Sequence, residues 1–102
     1  KKDGIADVVK AHGVKGAYVT LKFLKNGLKR SRFGFVVLSK LVKKATDRNL
    51  IIRRSREVVR KNMDKIKTGN DIVFIFREGS GKLDYETLER ELLSLLSSAR
   101  LI

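Results

Sequence analysis

The sequence contains no cysteine, no proline and no tryptophan, and it has a single histidine, His12. Without cysteine there are no disulfides or thiolate metal sites, and one imidazole does not supply the metal centres and catalytic triads that need several. No apolar stretch approaches the roughly 18 residues that span a bilayer, and no apolar signal region follows the charged start. These absences favour a cytoplasmic protein that binds no membrane, metal or cofactor of its own and no small-molecule substrate.

Acidic residues are also scarce, since 11 Asp and Glu stand against 24 Lys and Arg, for a net charge of +13. Residues 1–39 hold nine basic and two acidic residues, residues 40–67 hold eleven and three, and residues 68–102 hold four and six. So much charge repels itself in a compact fold, which indicates a polyanionic partner. Of the two common polyanions, nucleic acid and membrane surfaces, we expect nucleic acid. We expect the C-terminal third to lie away from that partner.

The densest run of cations, residues 43–60, has helical periodicity. Its polar positions recur every three or four residues and therefore share one helix face: Arg48, Asn49, Arg53, Arg56 and Arg60. Ile51, Val58 and Val59, with Ser55 between them, lie toward another face. Guanidinium groups match phosphate oxygens and give an affinity that depends on salt. The pattern predicts a helix that packs on a sheet and presents cations to nucleic acid.

Three lysines precede this helix in a loop: Lys40, Lys43 and Lys44. Backbone N–H groups and the helix dipole at a helix N-terminus also favour phosphate, so these lysines extend the predicted nucleic-acid-binding set. The alternative is an ordinary solvated surface, in which the arginines pair with Glu57 or Asp64 and Asn49 bonds locally near the helix start. Three acids cannot neutralise eleven cations in residues 40–67, which favours the binding interpretation.

Hydrophobic periodicity predicts the order helix, strand, strand, helix, strand, helix in one domain, residues 1–102. A short helix is predicted over residues 3–12, ended by Gly13, and two strands over 17–25 and 32–39 with an Asn26-Gly27 turn between them. The basic helix is predicted over 46–65, with Thr46 or Asp47 as its cap. A strand over 71–77 and a last helix capped by Asp84 complete the order. Leu41-Val42 leaves room for a further short strand. The predicted core includes all five phenylalanines: Phe23, Phe33, Phe35, Phe74 and Phe76. The fold class is α+β, a small two-layer α/β sandwich.

Tyr18, Thr20 and Lys22 alternate with the apolar residues of the first strand and share its other face. If that face is open it forms a groove, and if a helix covers it these are packing residues. The carboxylates of the last helix are spaced for capping and solubility, and no pair is placed for acid–base chemistry. We therefore predict no catalytic residue in this chain.

The motifs, in this order and spacing, resemble the protein component of bacterial ribonuclease P. The resemblance runs from about Tyr18 to the C-terminus and is carried by residues 32–37 (RFGFVV), 45–49 (ATDRN), Arg53, Arg56-Glu57 and 69–73 (GNDIV). It implies a sandwich of the ribosomal S5 domain 2-like type, with a left-handed strand–helix–strand crossover through the basic helix.

The resemblance also implies a function. The chain would be a subunit of an endoribonuclease, ribonuclease P, whose RNA subunit holds the Mg2+ ions and cleaves precursor tRNA at its 5′ end. The basic helix would dock on that RNA, while a cleft lined by the sheet and the first helix would hold the 5′ leader of the precursor. The residues expected in this leader groove are Tyr18, Thr20, Lys22 and Val36. Two alternatives stay open: a structural RNA-binding protein of ribosomal type, and a DNA-binding protein that inserts the basic helix into a major groove.

Some positions depart from the family pattern. Leu50 and Ile52 stand where the family has basic residues, whereas Arg54 replaces an apolar residue and is expected to restore one charge. The first helix carries Ile5 or Ala6 and Val8 or Val9 in place of two phenylalanines that face the leader. Aliphatic side chains offer no π face to a base, so leader stacking would be weaker, with Tyr18 supplying one ring.

Overall fold

The computed structural model describes residues 13–102, which form a four-stranded mixed sheet with two α-helices on one face. The strands are β1 (Gly13–Lys15), β2 (Val19–Lys25), β3 (Arg32–Val37) and β4 (Asn70–Phe76), and the helices are α1 (Ala45–Lys61) and α2 (Tyr85–Ser98). Two 3₁₀ turns span Met63–Lys65 and Ser80–Lys82. The two-layer α+β architecture is as predicted, while the helix predicted over residues 3–12 lies outside the described residues.

The sheet has the strand order β1-β2-β4-β3, so β3 is an edge strand. β2 runs antiparallel to β4, whereas β3 runs parallel to it and is connected to it through α1. This connection is the expected strand–helix–strand crossover, and its left hand stays an expectation of the resemblance. In the register, Leu21 and Phe35 both pair with Phe74, whereas Thr20 and Val36 both pair with Ile75. Alternation along each strand therefore gives the sheet two chemically different faces.

The core lies between the two helices and one sheet face. Helix α1 contributes Ile51, Ser55, Val58 and Val59, and α2 contributes Leu88, Leu92, Leu95 and Leu96. They cover the sheet residues Val19, Leu21, Ile72, Phe74 and Phe76. The apolar residues predicted to share one side of the basic helix, Ile51, Val58 and Val59, are therefore the ones that pack against the sheet. The predicted cap of the last helix is also confirmed, because Asp84 accepts the Thr87 N–H at 2.8 Å and this bond lowers the pKa of Asp84.

The predicted limits of α1 are wrong at both ends. The helix begins after Lys44, whose side chain makes no capping hydrogen bond, so neither Thr46 nor Asp47 is the cap. It ends four residues early because the Asn62 Nδ2 donates to the Val58 carbonyl at 2.8 Å, the acceptor that its own N–H would use in a longer helix. The Asn62 N–H turns instead to the Val59 carbonyl, and a 3₁₀ turn follows.

Two short segments go beyond or differ from prediction. β1, which was not predicted, begins at Gly13, and Gly13 pairs with Lys22. Leu41 and Val42 form a turn rather than a strand, since both of their N–H groups donate to the Leu38 carbonyl at 3.0 Å. Such a local turn leaves neither N–H for pairing with a neighbouring strand.

All five phenylalanines are in or packed against the core, as predicted, but they differ in burial. Phe74 and Phe76 on β4 are fully buried, whereas Phe23, Phe33 and Phe35 are only half-buried. Phe33 and Phe35 lie on the edge strand, which in the described part of the chain has a neighbouring strand on one side only. Phe35 still stacks on Phe74, with ring centroids 5.8 Å apart.

An ion pair joins β3 to β4 at the end of the sheet. The Arg32 Nε and Nη2 atoms donate to the two carboxylate oxygens of Asp71, each at 2.7 Å, and the Asn26 Nδ2 adds a bond of 2.9 Å. The Arg32 guanidinium, and then the Asn26 amide, hold the pKa of Asp71 below its usual value, against the effect of burial.

The variant Asp71→Asn is expected to lose about 1 kcal/mol of stability at pH 7, because Arg32 is half exposed and water replaces part of the missing bonding. Since the folded-state pKa of Asp71 is depressed, its contribution is present above the unfolded-state pKa and is lost as the pH falls through the folded-state value. Urea denaturation between pH 7 and pH 2 measures both effects. Parent and variant should converge in acid, and a constant difference at every pH would contradict this assignment.

Candidate nucleic-acid interface

The outward side of α1 carries a shallow groove along the helix axis. It is lined by Asn49, Ile52, Arg53, Arg56, Glu57 and Arg60. Asn49 and the three arginines are exposed, or nearly so, while Ile52 is half-buried. The predicted arginine face therefore exists, and Ile52 is its apolar member rather than part of the core. We call this set the α1 outer face.

The cations of the α1 outer face differ in their partners. Arg60 forms a bidentate pair with Glu57, at 3.0 Å from Nε to Oε1 and 2.5 Å from Nη2 to Oε2, and this pair lowers the pKa of Glu57. Arg56 lies over the Phe35 ring, with Cζ 6.0 Å from the ring centroid. Within residues 13–102, neither Arg53 nor Arg56 pairs with a carboxylate. Arg60 therefore fits the solvated-surface interpretation, whereas the positive charges of Arg53 and Arg56 remain available to bind phosphate.

Arg48 has a different position from the one predicted. Its Nη1 atom donates to the carbonyls of Val42 and Lys43, each at 2.9 Å, and the residue is half-buried. Arg48 therefore fastens the preceding loop to the first turn of α1. Lys40, Lys43 and Lys44 are exposed in that loop, so the helix N-terminus and the lysines lie together as predicted.

Two further expectations concern Asn49, which was considered as a local hydrogen-bonding group near the helix start, and Arg54, which was expected to restore one charge. The Asn49 side chain makes no hydrogen bond to any residue in the described part of the chain, and the helix cap is Lys44, so local capping does not explain Asn49. Arg54 does not restore charge to the α1 outer face. Its Nη1 atom donates to the Leu83 carbonyl at 3.3 Å, which turns the guanidinium toward the segment before α2.

Three of the four residues predicted for the leader groove share the sheet face away from α1 and α2. Thr20 and Val36 flank Ile75, and Lys22 pairs with Val73 in the next row. All three are half-buried. Val73 is only 2% exposed, so we define the outer sheet face by its half-buried members, Thr20, Lys22, Val36 and Ile75. The sheet separates this face from the α1 outer face, so the two predicted binding sites lie in opposite layers of the sandwich.

Tyr18, the fourth predicted residue, lies just before β2 and is 36% exposed. Its ring contacts Gly79, which has φ +91°, and a Cβ atom at Gly79 would lie 3.0 Å from the ring. Glu91 on α2 accepts the N–H groups of Tyr18 and Val19, at 2.6 and 2.9 Å. These contacts fix the backbone and one side of the ring at the end of the sheet.

A second clamp on this turn comes from Arg77, directly after β4. Its Nη2 atom donates to the carbonyls of Gly16 and Ala17, and its backbone N–H donates to the Tyr18 carbonyl at 2.8 Å. Sequence reasoning missed both clamps and assigned Glu91 to solubility. A separation of about 60 to 73 residues leaves no local signal for such contacts.

Removing the Glu57 carboxylate is expected to strengthen RNA binding. Glu57→Gln frees Arg60 and deletes one negative charge from the α1 outer face, so affinity for RNA should rise about 2- to 5-fold at low salt. Glu86→Gln, at an exposed position of α2, changes the net charge by the same amount and serves as the matched control. Filter binding at several salt concentrations measures both variants, and an equal change in the two would show that only net charge matters.

Residues 13–102 include no helix long and apolar enough to cross a membrane. They also include no cluster of three or more His, Asp or Glu side chains that could hold a metal ion. The α1 outer face and the loop before it present guanidinium and ammonium groups, and the outer sheet face is a mixed aliphatic and polar surface.

The chain is similar to known proteins over nearly its whole length. The family model for Ribonuclease P matches residues 2–100. The ribonuclease P protein component of Syntrophomonas wolfei is 32% identical over 92 residues, which cover 90% of this chain and 76% of the relative. The Thermotoga maritima protein component is 37% identical over 100 residues, which cover 94% and 85%.

A solved structure gives the same result for the fold. The RNase P protein from Thermotoga maritima, in complex with 1-(4-fluorophenyl)-2-thiourea, superimposes with a TM-score of 0.86 at 36% identity. The match covers 93% of this chain and 92% of that one. The sequence motifs, the crossover through a basic helix and these similarities agree, and the chain belongs to the ribonuclease P protein family.

Proposed function

We propose that this chain is the protein subunit of a ribonuclease P ribonucleoprotein, which matures the 5′ ends of tRNA. In this proposal the RNA subunit holds the Mg2+ ions and performs the hydrolysis, and the chain binds ribonuclease P RNA and precursor tRNA. Family membership supports the subunit role. We also propose that the chain acts in the cytoplasm, which is consistent with its family.

The observation that carries the RNA-binding role is the unpaired charge on α1. Arg53 and Arg56 point outward without carboxylate partners in the described chain, and Arg48 bonds the Lys43 carbonyl next to the helix N-terminus. Phosphates bound here would meet guanidinium forks along the helix, then ammonium groups and free N–H groups at its start. The Asn49 amide adds donors and acceptors beside them.

For the 5′ leader we propose the outer sheet face, with Tyr18 at its end. Three strands at about 4.8 Å spacing offer a strip wide enough for one nucleic acid strand and too narrow for a duplex. Thr20 and Val36 would contact sugars and bases across Ile75, and Lys22 would contact phosphate. The Tyr18 ring, fixed on one side by Gly79, offers its remaining surface to a base.

Substitutions on the outer sheet face should act only on substrates with a leader. In the reconstituted holoenzyme, Val36→Glu is expected to weaken binding of a precursor tRNA with a 5′ leader about 10-fold, because it adds a negative charge beside the strand. Binding of the same tRNA without a leader should not change. Leu28→Glu, at an exposed leucine in the loop after β2, is the matched control. Equal losses for both substrates would contradict the leader assignment.

The runner-up function is a structural RNA-binding protein of ribosomal type. It shares the basic helix and predicts the same salt-dependent binding by α1. It has no use for a leader groove, so it predicts no difference between precursor tRNA with and without a leader.

A further inference from the structure

A second depression lies between the edge strand β3 and the C-terminal half of α1. Its volume is about 300 Å³, and it is lined by Phe33, Phe35, Arg56, Val59, Arg60 and Met63. We call it the β3–α1 groove. Its lining differs from that of the α1 outer face, since two aromatic rings, a valine and a thioether form its walls and the two guanidinium groups stand at its rim.

Among residues 13–102, no strand pairs with the outer edge of β3, so the apolar walls are partly open to solvent. Met63 is 49% exposed, and Phe33 and Phe35 are half-buried although their strand positions face the core. Arg56 already covers the Phe35 ring. Phe33 has no such cation over it in the described part of the chain, so its ring and the flexible Met63 side chain form the accessible part of the wall.

We propose that the β3–α1 groove binds one unstacked base of the RNA that docks on α1. This inference rests on the proposed function and adds a base contact to its phosphate contacts. An unpaired base is flat and apolar on its faces and carries phosphate on both sides, which matches an aromatic and thioether slot rimmed by Arg56 and Arg60. A duplex does not fit, because its bases are stacked inside.

Charge favours RNA over another occupant of this apolar groove. A second copy of the chain would bring a further net charge of +13 to a rim that is already cationic, and repulsion would oppose that contact. A base with its flanking phosphates instead contacts the apolar wall and the cationic rim at the same time. The groove also continues directly from the α1 outer face, because Arg56 and Arg60 line both.

A single methyl group can report on the groove. Met63 is the only methionine in the 102 residues, so a ¹³C-methyl methionine label gives one signal, which comes from the groove. The loss of this signal in Met63→Ala confirms its assignment to Met63. Titration with an oligoadenylate of about eight nucleotides should shift this signal upfield through the ring current of a base. Inorganic polyphosphate, which has charge but no bases, should bind without that shift. The same small shift with both polyanions would overturn the proposal.

Affinity for ribonuclease P RNA provides a second, independent test. Met63→Ala and Phe33→Leu are each expected to lower affinity about 3- to 10-fold at every salt concentration, with the slope against log salt unchanged because the phosphate contacts remain. Leu24→Ala, at an exposed leucine on β2, is the matched control. Circular dichroism checks that each variant is folded.

The outcomes separate this inference from the proposed function. If the groove variants bind as the parent does while Arg53→Ala weakens binding, the base site is wrong and the RNA-binding role of α1 stands. If Arg53→Ala also binds normally, the role of α1 is wrong as well. If the groove variants change only the oligomeric state in sedimentation, the groove is a contact between copies of the chain and the base site is overturned.

Discussion

Replacing Arg53 and Arg56 together by alanine is expected to weaken binding to ribonuclease P RNA by about 10- to 100-fold near 0.15 M salt, a loss of about 1.4 to 2.8 kcal/mol. Both guanidinium groups lie on the α1 outer face without carboxylate partners among residues 13–102. Removing each phosphate contact should also reduce the slope of log affinity against log salt by about 0.7 to 0.9. Titration at four or five salt concentrations gives both quantities.

A matched double variant controls for net charge. Lys82→Ala/Arg90→Ala removes the same two charges from exposed positions in the C-terminal third. It should change affinity less than about 3-fold, since long-range charge effects are screened over about 8 to 10 Å at this salt. If the two double variants lose equal affinity, the chain binds RNA through diffuse charge and α1 has no special role.

The largest effect on stability is expected from Phe74→Ala, at about 3–5 kcal/mol. Phe74 is fully buried in the central strand, pairs with β2 and β3 on either side and stacks on Phe35. Its removal leaves a cavity under both helices, and domains of this size have total stabilities of only about 5–15 kcal/mol. Urea denaturation at pH 7 measures the change.

The control for that prediction is Leu24→Ala, because Leu24 lies on a paired strand but is 41% exposed. It should cost well under half as much as Phe74→Ala. Comparable losses would contradict a core centred on β4. RNA that binds only the folded chain should raise the urea midpoint of the Phe74→Ala variant. RNA binding by α1 can therefore still be measured at saturating RNA, even where this variant alone is partly unfolded.

Local sequence patterns predicted much of the fold. The three- and four-residue spacing of Ile51, Ser55 and Val58 fixes which side of α1 meets the sheet, and the arginines follow on the other side. The apolar run of β4 indicated a central strand, and Asp84 signalled the start of α2. Each of these signals depends on residues within about one or two turns of one another, so a single sequence contains them.

Features set by distant contacts were not predictable in this way. Strand order makes β3 an edge, and this explains why Phe33 and Phe35 are half-buried and why a groove exists beside them. The clamps of Glu91 and Arg77 on the turn before β2 join residues at opposite ends of the chain. Sequence periodicity describes one element at a time and carries no information on such pairings.

The predicted site residues divide in the same way. The arginine face of α1 and the shared face of Thr20, Lys22 and Val36 follow from helical and strand periodicity. The individual bonds of Arg48 to the loop and of Arg54 to Leu83 depend on what lies opposite each guanidinium. Charge alone made these arginines look equivalent, whereas the fold gives them different partners.

The most direct test of the central claim is cleavage of a precursor tRNA by a bacterial ribonuclease P RNA at low magnesium, with and without this chain. We expect the chain to increase cleavage and Arg53→Ala/Arg56→Ala to abolish most of the increase. No stimulation by a chain that binds RNA tightly and in a salt-dependent manner would contradict the subunit role and favour a structural RNA-binding protein.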